Sequence, residues 1–158
     1  MKHCASRLTS FGDARLPSAR RLLTIRLKHA SHFARQSRSN FIARRDLPFL
    51  LFARGTDLVV CSSGLHRIGW SVSKFEVGYW ELVSQLGQGL NTEGVGAIVD
   101  FAFSVLGAPR VEALPDEANT RSCRLCERIG MAFEGTLRHH RGDPDGTARN
   151  TRVYSKVR

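Results

Sequence analysis

The chain has 158 residues, ordinary apolar content and a formal charge of +10. That length favours one domain, able to bury roughly 70% of its unfolded surface without disulfides. It has no run of 18 apolar residues, so neither a transmembrane helix nor a membrane partner is expected. The charge is not spread over a nucleic-acid-binding domain either: eleven of the 24 basic residues lie in positions 1–45 against one acid, Asp13, and the rest of the chain is balanced at 13 of each sign.

Residues 1–30 are rich in Arg, Ser and Ala. Three readings stand for this segment: a disordered basic arm, a replaced or mis-started N-terminus, or a mitochondrial-type presequence. "RRLLTIRL" within it suits a short strand. The main domain is expected over 31–158. "SHFARQSRSNFIARR" places Phe33, Ser37 and Phe41 at helical spacing and predicts a helix ending near Arg45. Pro48 marks a break. "FLLFAR" suits a buried strand, Gly55-Thr56-Asp57 a turn, "LVVCSSGLHRI" a second strand, "GWSVSK" a turn and "FEVGYWELV" a third strand. Two successive hairpins make an antiparallel meander.

The period then changes. Val95, Ile98, Val99, Ala102, Phe103 and Leu106 recur at spacings of three and four, which predicts an amphipathic helix over Asn91–Leu106 closed by Gly107. "RVEAL" is a short strand. Asn119 can cap a helix running to about Ile129, closed by Gly130. "AFEGTLRHH" and "TARNTRVYSKVR" are strands flanking the turn "GDPDG". From Phe49 the order is β-β-β-α-β-α-β-β, an α/β (α+β) mixture around one sheet.

The loop "SQLGQGLNTEG", Ser84 to Gly94, follows a strand and opens a helix. Unpaired N–H groups at a helix N-terminus favour an anion, and Gly87 and Gly89 let it approach the backbone. The Gly-Lys-Ser/Thr of a Walker loop is absent, and Thr92 stands where a dinucleotide loop has its third glycine. Anion binding and a plain glycine-capped turn both fit these letters.

The segments "FEVGYWELVSQLGQGLNTEGVGAIVDFAFSVLGAPRVEAL", "NTRSCRLCERIGMAFEGTLRHHRGDPDG" and "TRVYS" closely resemble the GNAT superfamily of acetyl-CoA-dependent N-acetyltransferases. The branch they resemble includes the ribosomal-protein N-terminal acetyltransferases. Gly-Tyr-Trp, GxGxxTE, Asn-x-x-Ser, Glu-Arg-x-Gly and Glu-Gly-x-Leu-Arg occur in that order between about Phe49 and Tyr154. The resemblance implies a three-layer fold with a mixed, mostly antiparallel sheet. It implies acetyl-CoA as cosubstrate, no metal, and direct attack by a primary amine in a ternary complex. That amine would be a peptide or protein N-terminus, such as that of a ribosomal protein, or a small amine.

The same resemblance assigns the pyrophosphate cradle to the backbone of Leu86, Gly87, Gln88, Gly89 and Leu90. Ser84 stands where the family often has Gln or Arg. Trp80, Leu82 and Val83 would line the pantetheine arm on a strand that splays from its neighbour. Asn119 and Ser122 match the family's Asn-x-x-Ser. Glu76 is the candidate base, acting through a water, or else a solvent-facing strand residue. Ser122 is the candidate acid for the departing sulfur, or else an ordinary first-turn residue. Tyr79 and Tyr154 are the only tyrosines, and Tyr79 reads as core. Glu93 reads as a partner of the helix N-terminus.

Outside these motifs, His66 sits near the end of the second strand, where it is either a substrate contact or, the favoured reading, structural. His139 and His140 are adjacent on a strand and so point to opposite faces, unsuited to one metal. Cys123 and Cys126 lack a second pair for zinc, so free thiols in a reducing, cytoplasmic setting are expected. The family's first strand and helix have little counterpart before "FLLF". That leaves an alternative function, an acetyl-CoA-binding relative with an impaired acceptor site. A third class, an RNA or ribosome binder acting through the basic arm, is weaker. Either a monomer or a homodimer is compatible with the exposed edge strands expected at the C-terminus.

Overall fold

The structure, a computed structural model, describes residues 27–52, 57, 59–81 and 89–158. Helix α1 (Leu27–Ile42) is followed by strands β1 (Leu47–Phe52), β2 (Val59–Gly69) and β3 (Lys74–Glu81). Helix α2 (Leu90–Ser104), β4 (Arg110–Ala113), α3 (Thr120–Arg128), β5 (Ala132–Gly142) and β6 (Ala148–Val157) complete the chain. The six strands form one mixed sheet in the order β1-β2-β3-β4-β6-β5. The β3–β4 pair is parallel and the others are antiparallel. This is the expected order of elements, in an α+β fold.

The chain forms these elements for local reasons. In α1, Phe41 sits at the C-terminal end and stacks edge-on against Phe49 of β1, which in turn meets Phe101 of α2. Arg44, at φ +55°, ends the helix, and the Trp70 indole N–H donates to its carbonyl at 2.8 Å. The expected domain boundary at residue 30 falls within this helix, and Leu27, the last residue of "RRLLTIRL", is its first. The other residues of that segment lie outside those described.

Pro48 does not precede β1 but lies within it, paired with Gly64. Among the described residues β1 is an edge strand, where a residue without an N–H is tolerated. Its side chains alternate, Leu47 buried and Leu50 and Phe52 exposed.

Helix α2 buries Val95, Ile98, Val99 and Ala102 as its spacing predicts, and Phe101 as well, whereas Phe103 and Leu106 are half-buried at the core edge. Gly94 also faces inward: a Cβ there would lie 2.2 Å from Leu51 Cδ1, so the missing side chain lets β1 and α2 meet. Gly107, at φ +67°, closes the helix.

Asn119 caps α3, its side chain accepting from the Ser122 N–H at 3.1 Å. The Met131 N–H reaches back to the Cys126 carbonyl at 3.0 Å, the six-to-one bond of a glycine-ended helix. Tyr154 of β6 is buried and donates to Glu127 Oε1 at 3.1 Å, tying α3 to the sheet.

Candidate active site

The pairing of β3 with β4 spans three registers, Lys74–Arg110, Phe75–Val111 and Glu76–Glu112, and β4 ends at Ala113. β3 continues to Glu81, paired only with β2, whose Cys61 lies opposite Glu81. The strands thus part after Glu76, leaving the segment from Val77 onward without a sheet neighbour on its β4 side among the described residues. A cavity of about 600 Å³ opens beside it. Its walls are Tyr79 and Trp80 of β3, the start of α2 (Gly89, Asn91, Thr92), and α3 with its cap, Asn119–Ser122, Arg124, Leu125 and Arg128. Alternation puts Tyr79 and Trp80 on opposite faces of β3, so the gap connects the two faces of the sheet.

Gly89, in the left-handed region at φ +76°, starts α2 with no side-chain cap. The first-turn N–H groups of this helix stand at the cavity without a capping side chain, where the helix dipole favours an anion. A Cβ at Gly89 would meet nothing within 4 Å, so the space above the backbone is open. Asn91 is buried, and its Oδ1 has no hydrogen-bond partner among the described residues. On the opposite wall, Arg121, Arg124 and Arg128 share one face of α3 at spacings of three and four. None of them is in an ion pair among the described residues. A helix N-terminus facing three unpaired guanidinium groups makes a cavity suited to a polyanion.

The inner end carries the hydroxyls. Tyr79 Oη lies 2.7 Å from Ser122 Oγ, donates to the Ser122 carbonyl at 3.1 Å, and lies 3.3 Å from Cys126 Sγ. Burial pushes the Tyr79 phenol above its ordinary range, with the neighbouring Cys126 adding to the effect. Burial likewise pushes the Cys126 thiol up to about 11, against the opposing Tyr79 hydrogen bond. At neutral pH both groups therefore hold their protons. The cluster is a set of proton donors rather than a nucleophile.

The sequence candidates separate on this geometry. Trp80, Gly89, Asn119 and Ser122 come together on the cavity wall. Leu90 is buried as the first residue of α2. Leu82, Val83, Leu86, Gly87 and Gln88 lie outside the described residues. Glu76 stands at the last β3–β4 register, outside the cavity lining. It is not solvent-facing, since its side chain is only 13% exposed. Its Oε2 lies 3.2 Å from an Arg67 nitrogen without hydrogen-bond alignment, and its Oε1 lies 3.9 Å from one of Arg141.

Tyr79, which reads as core in the sequence, packs against the core and also lines the cavity. Asn91, Arg124 and Arg128 also line it without having stood out in the sequence. Arg124 and Arg128 carry a signal, four residues apart in the helix that Asn119 opens. For Tyr79 and Asn91 the sequence holds none, because their roles depend on which face packs against what.

The strand alternation expected at His139 and His140 is interrupted by a bulge. The β5–β6 register shifts between Leu137 and Arg141, and His139 has φ +50°. Simple alternation does not hold through such a bulge. The two side chains are exposed, and the His139 N–H donates to Asn150 Oδ1 at 3.0 Å. Cys61, Cys123 and Cys126 are buried, the last two as free thiols. Among the described residues, no helix is long and apolar enough to cross a membrane.

Comparison with known proteins agrees with this architecture. The GNAT acetyltransferase domain family matches residues 14–132, starting well upstream of the motifs at Gly78 to Glu93. The uncharacterized N-acetyltransferase YoaA of Bacillus subtilis is 29% identical over 115 residues, 73% of this chain and 64% of the relative. The uncharacterized N-acetyltransferase p20 of Bacillus licheniformis is 29% identical over 92 residues, 58% of this chain and 52% of the relative. The chain thus spans about half to two thirds of these relatives' length. Among solved structures, the ribosomal L7/L12 alpha-N-protein acetyltransferase RimL, in complex with coenzyme A, superposes with a TM-score of 0.75. The superposition covers 84% of this chain and 73% of that one at 14% identity, a likeness of fold. With a family match over about three quarters of its length and the parted-strand cavity where the motifs lie, the chain belongs to the GNAT acetyltransferase family.

Proposed function

We propose that this protein is an N-acetyltransferase that takes the acetyl group of acetyl-CoA and transfers it to a primary amine by direct attack in a ternary complex. One observation carries the reading: the gap where β3 parts from β4 opens into the same cavity as the uncapped N-terminus of α2 and the arginine face of α3. Coenzyme A joins a phosphate-rich end to a long amide-bearing arm ending in a thiol. A cavity with a cationic mouth, an unpaired strand edge and a hydroxyl-lined inner end matches each part in turn.

When bound, acetyl-CoA supplies an activated thioester; the remaining steps belong to the chain. Main-chain N–H groups at Gly89 and the first turn of α2 hold the pyrophosphate, and the resemblance adds Leu86, Gly87 and Gln88 to the cradle. Arg124 and Arg128 neutralise phosphate charge at the mouth. Trp80 and its main chain pair with the arm. Asn119 orients Ser122 through the cap hydrogen bond at 3.1 Å. Ser122 protonates the leaving sulfur and regains a proton through the Tyr79 hydroxyl, 2.7 Å away, which takes one from solvent in the same relay so that no phenolate is left. Glu76 takes the proton of the incoming ammonium group through a water, so that a neutral amine makes the attack. A protein N-terminus and a small amine both fit the reading as acceptors, RimL being a protein acetyltransferase by its description.

Calorimetric titration with acetyl-CoA tests the reading, beside the Gly89→Glu variant. Micromolar binding is expected, weakened about 100-fold by a carboxylate set against the pyrophosphate. A panel of alanyl and seryl peptides and polyamines, assayed for coenzyme A release, then finds the acceptor. Binding without turnover on any amine would support the alternative, a relative impaired at its acceptor site. No binding by folded protein would refute the proposal.

A further inference from the structure

The face of the sheet opposite Tyr79 holds a second arrangement, made of Gly78 from the Gly-Tyr-Trp motif and residues outside the motifs. Gly64 of β2 and Gly78 of β3 are direct register partners. The His66 imidazole lies over both. A Cβ on Gly64 would come 3.0 Å from His66 Nε2, and one on Gly78 would come 2.9 Å from its Cδ2 and 3.2 Å from its Nε2. Two facing glycines thus make a floor that any other residue would deny to the ring.

The ring is also oriented from behind. His66 Nδ1 lies 3.2 Å from Asp46 Oδ1. Asn40 of α1 donates to Asp46 Oδ2 at 3.3 Å, and Gln36 donates to Asn40 Oδ1 at 3.1 Å. An ionised carboxylate only accepts, so Asp46 puts the proton of the neutral ring on Nδ1. Nε2 is left with its lone pair and has no partner among the described residues. The side chain is 40% exposed. The position of the ring matters as much. Pairing of β3 with β4 ends at Glu76, and Gly78, beneath the imidazole, is two residues into the parted segment. Trp80, the next residue on this face, lines the cavity.

We propose that His66 is a catalytic residue, the group that meets the acceptor amine and takes its proton, with Asp46 as its positioning residue. The proposal rests on the acetyl-transfer reading above. As the amine nitrogen bonds to the carbonyl carbon, Nε2 accepts a proton from that nitrogen and the carbon–sulfur bond breaks. The imidazolium returns its proton to water, and the leaving thiolate gains one through Ser122. Glu76, the register partner of His66, is occupied by Arg67 and Arg141 and acts no closer than through a water.

A test independent of any acceptor is affinity labelling with bromoacetyl-CoA. An amine base at the thioester lies near its methylene carbon. Nε2 should displace bromide from that carbon, forming a carbon–nitrogen bond that peptide mass spectrometry locates. The expected result is a single adduct on His66, suppressed by excess coenzyme A. It should be absent in His66→Gln and formed about tenfold or more slowly in Asp46→Asn, whose side chain no longer forces the tautomer. Both variants should bind acetyl-CoA as the wild type does and unfold at similar temperatures. Binding without alkylation, or with the adduct on Glu76 or Cys126, would overturn this proposal and leave the function standing. Failure of coenzyme A and acetyl-CoA to bind at all would overturn both.

Discussion

The two halves of β3 are built from similar residues but have different neighbours. From Lys74 to Glu76 the strand is paired on both sides, with β2 and β4. From Val77 to Glu81 it is paired on one side only, because β4 stops at Ala113 and the chain turns away toward α3. The first half closes the sheet. Phe75 is fully buried there, and Glu76 and Glu112 are bound by surrounding basic side chains. The second half opens it, and Tyr79 and Trp80 turn to the two sides of the gap. Ending a parallel pair early thus makes an unpaired main-chain edge inside the protein rather than at its rim. A buried edge of that kind must find hydrogen-bond partners, and an amide-bearing ligand can supply them.

The contrast can be broken first at the mouth of the open half. Replacing Arg124 and Arg128 together by alanine should weaken acetyl-CoA binding about 30-fold, with a shallower dependence on salt, since both line the cavity and neither is ion-paired among the described residues. Titration at two ionic strengths would show it. Unchanged affinity would mean that the arginine face is only a solvated helix surface.

A somewhat smaller effect separates the two glycines under His66. At Gly64 a Cβ would strike the Leu47 carbonyl at 2.9 Å and Pro48 Cα at 3.1 Å, both backbone atoms of β1. Gly64→Ala should therefore lower stability by about 1–3 kcal/mol in urea unfolding. At Gly78 a Cβ would meet only the imidazole. Gly78→Ala should cost less and appear chiefly as a displaced His66 resonance. Equal destabilisation by both would argue that the ring is locked in place as core.

Within the open half, Tyr79→Phe and Ser122→Ala should each cost about 1 kcal/mol, and the double variant should cost less than their sum, because the two share one hydrogen bond. Strict additivity would deny the relay from phenol to serine.

The smallest effect belongs to the far edge of the sheet. There Glu134 of β5 accepts from Arg110 of β4 and from Ser155 of β6. The Arg110 and Ser155 hydrogen bonds hold its carboxyl down at about 2, below its ordinary value of 4.5. A depressed carboxylate contributes stability above its unfolded value that disappears as pH falls from 4.5 toward 2. Glu134→Gln should flatten the acid limb of the stability profile in that window. Glu134 is exposed, so the change should be slight, and an unaltered acid limb would leave the ion pair without a measurable role.

The amino-acid sequence by itself determines part of this architecture. The three-and-four spacing from Val95 to Ala102, the Asn119 cap, the stops at Gly107 and Gly130 and the period-two strands depend on neighbours within a dozen residues. Their positions can therefore be read from the letters to within a few residues. The glycines ahead of α2 point to an anion for the same reason, and the motifs from Gly78 to Arg138 carry the family. Other features depend on residues distant in the chain. Tyr79 joins Ser122 across 43 positions and His66 joins Asp46 across 20. Pro48 fits within β1 because that strand lies at an edge, and the bulge at His139 follows from a register shift against β6. Local periodicity determines which residues form a helix or strand and which face is apolar. Register and the length of β4 determine which side chains meet across the gap, and only the folded sheet sets those.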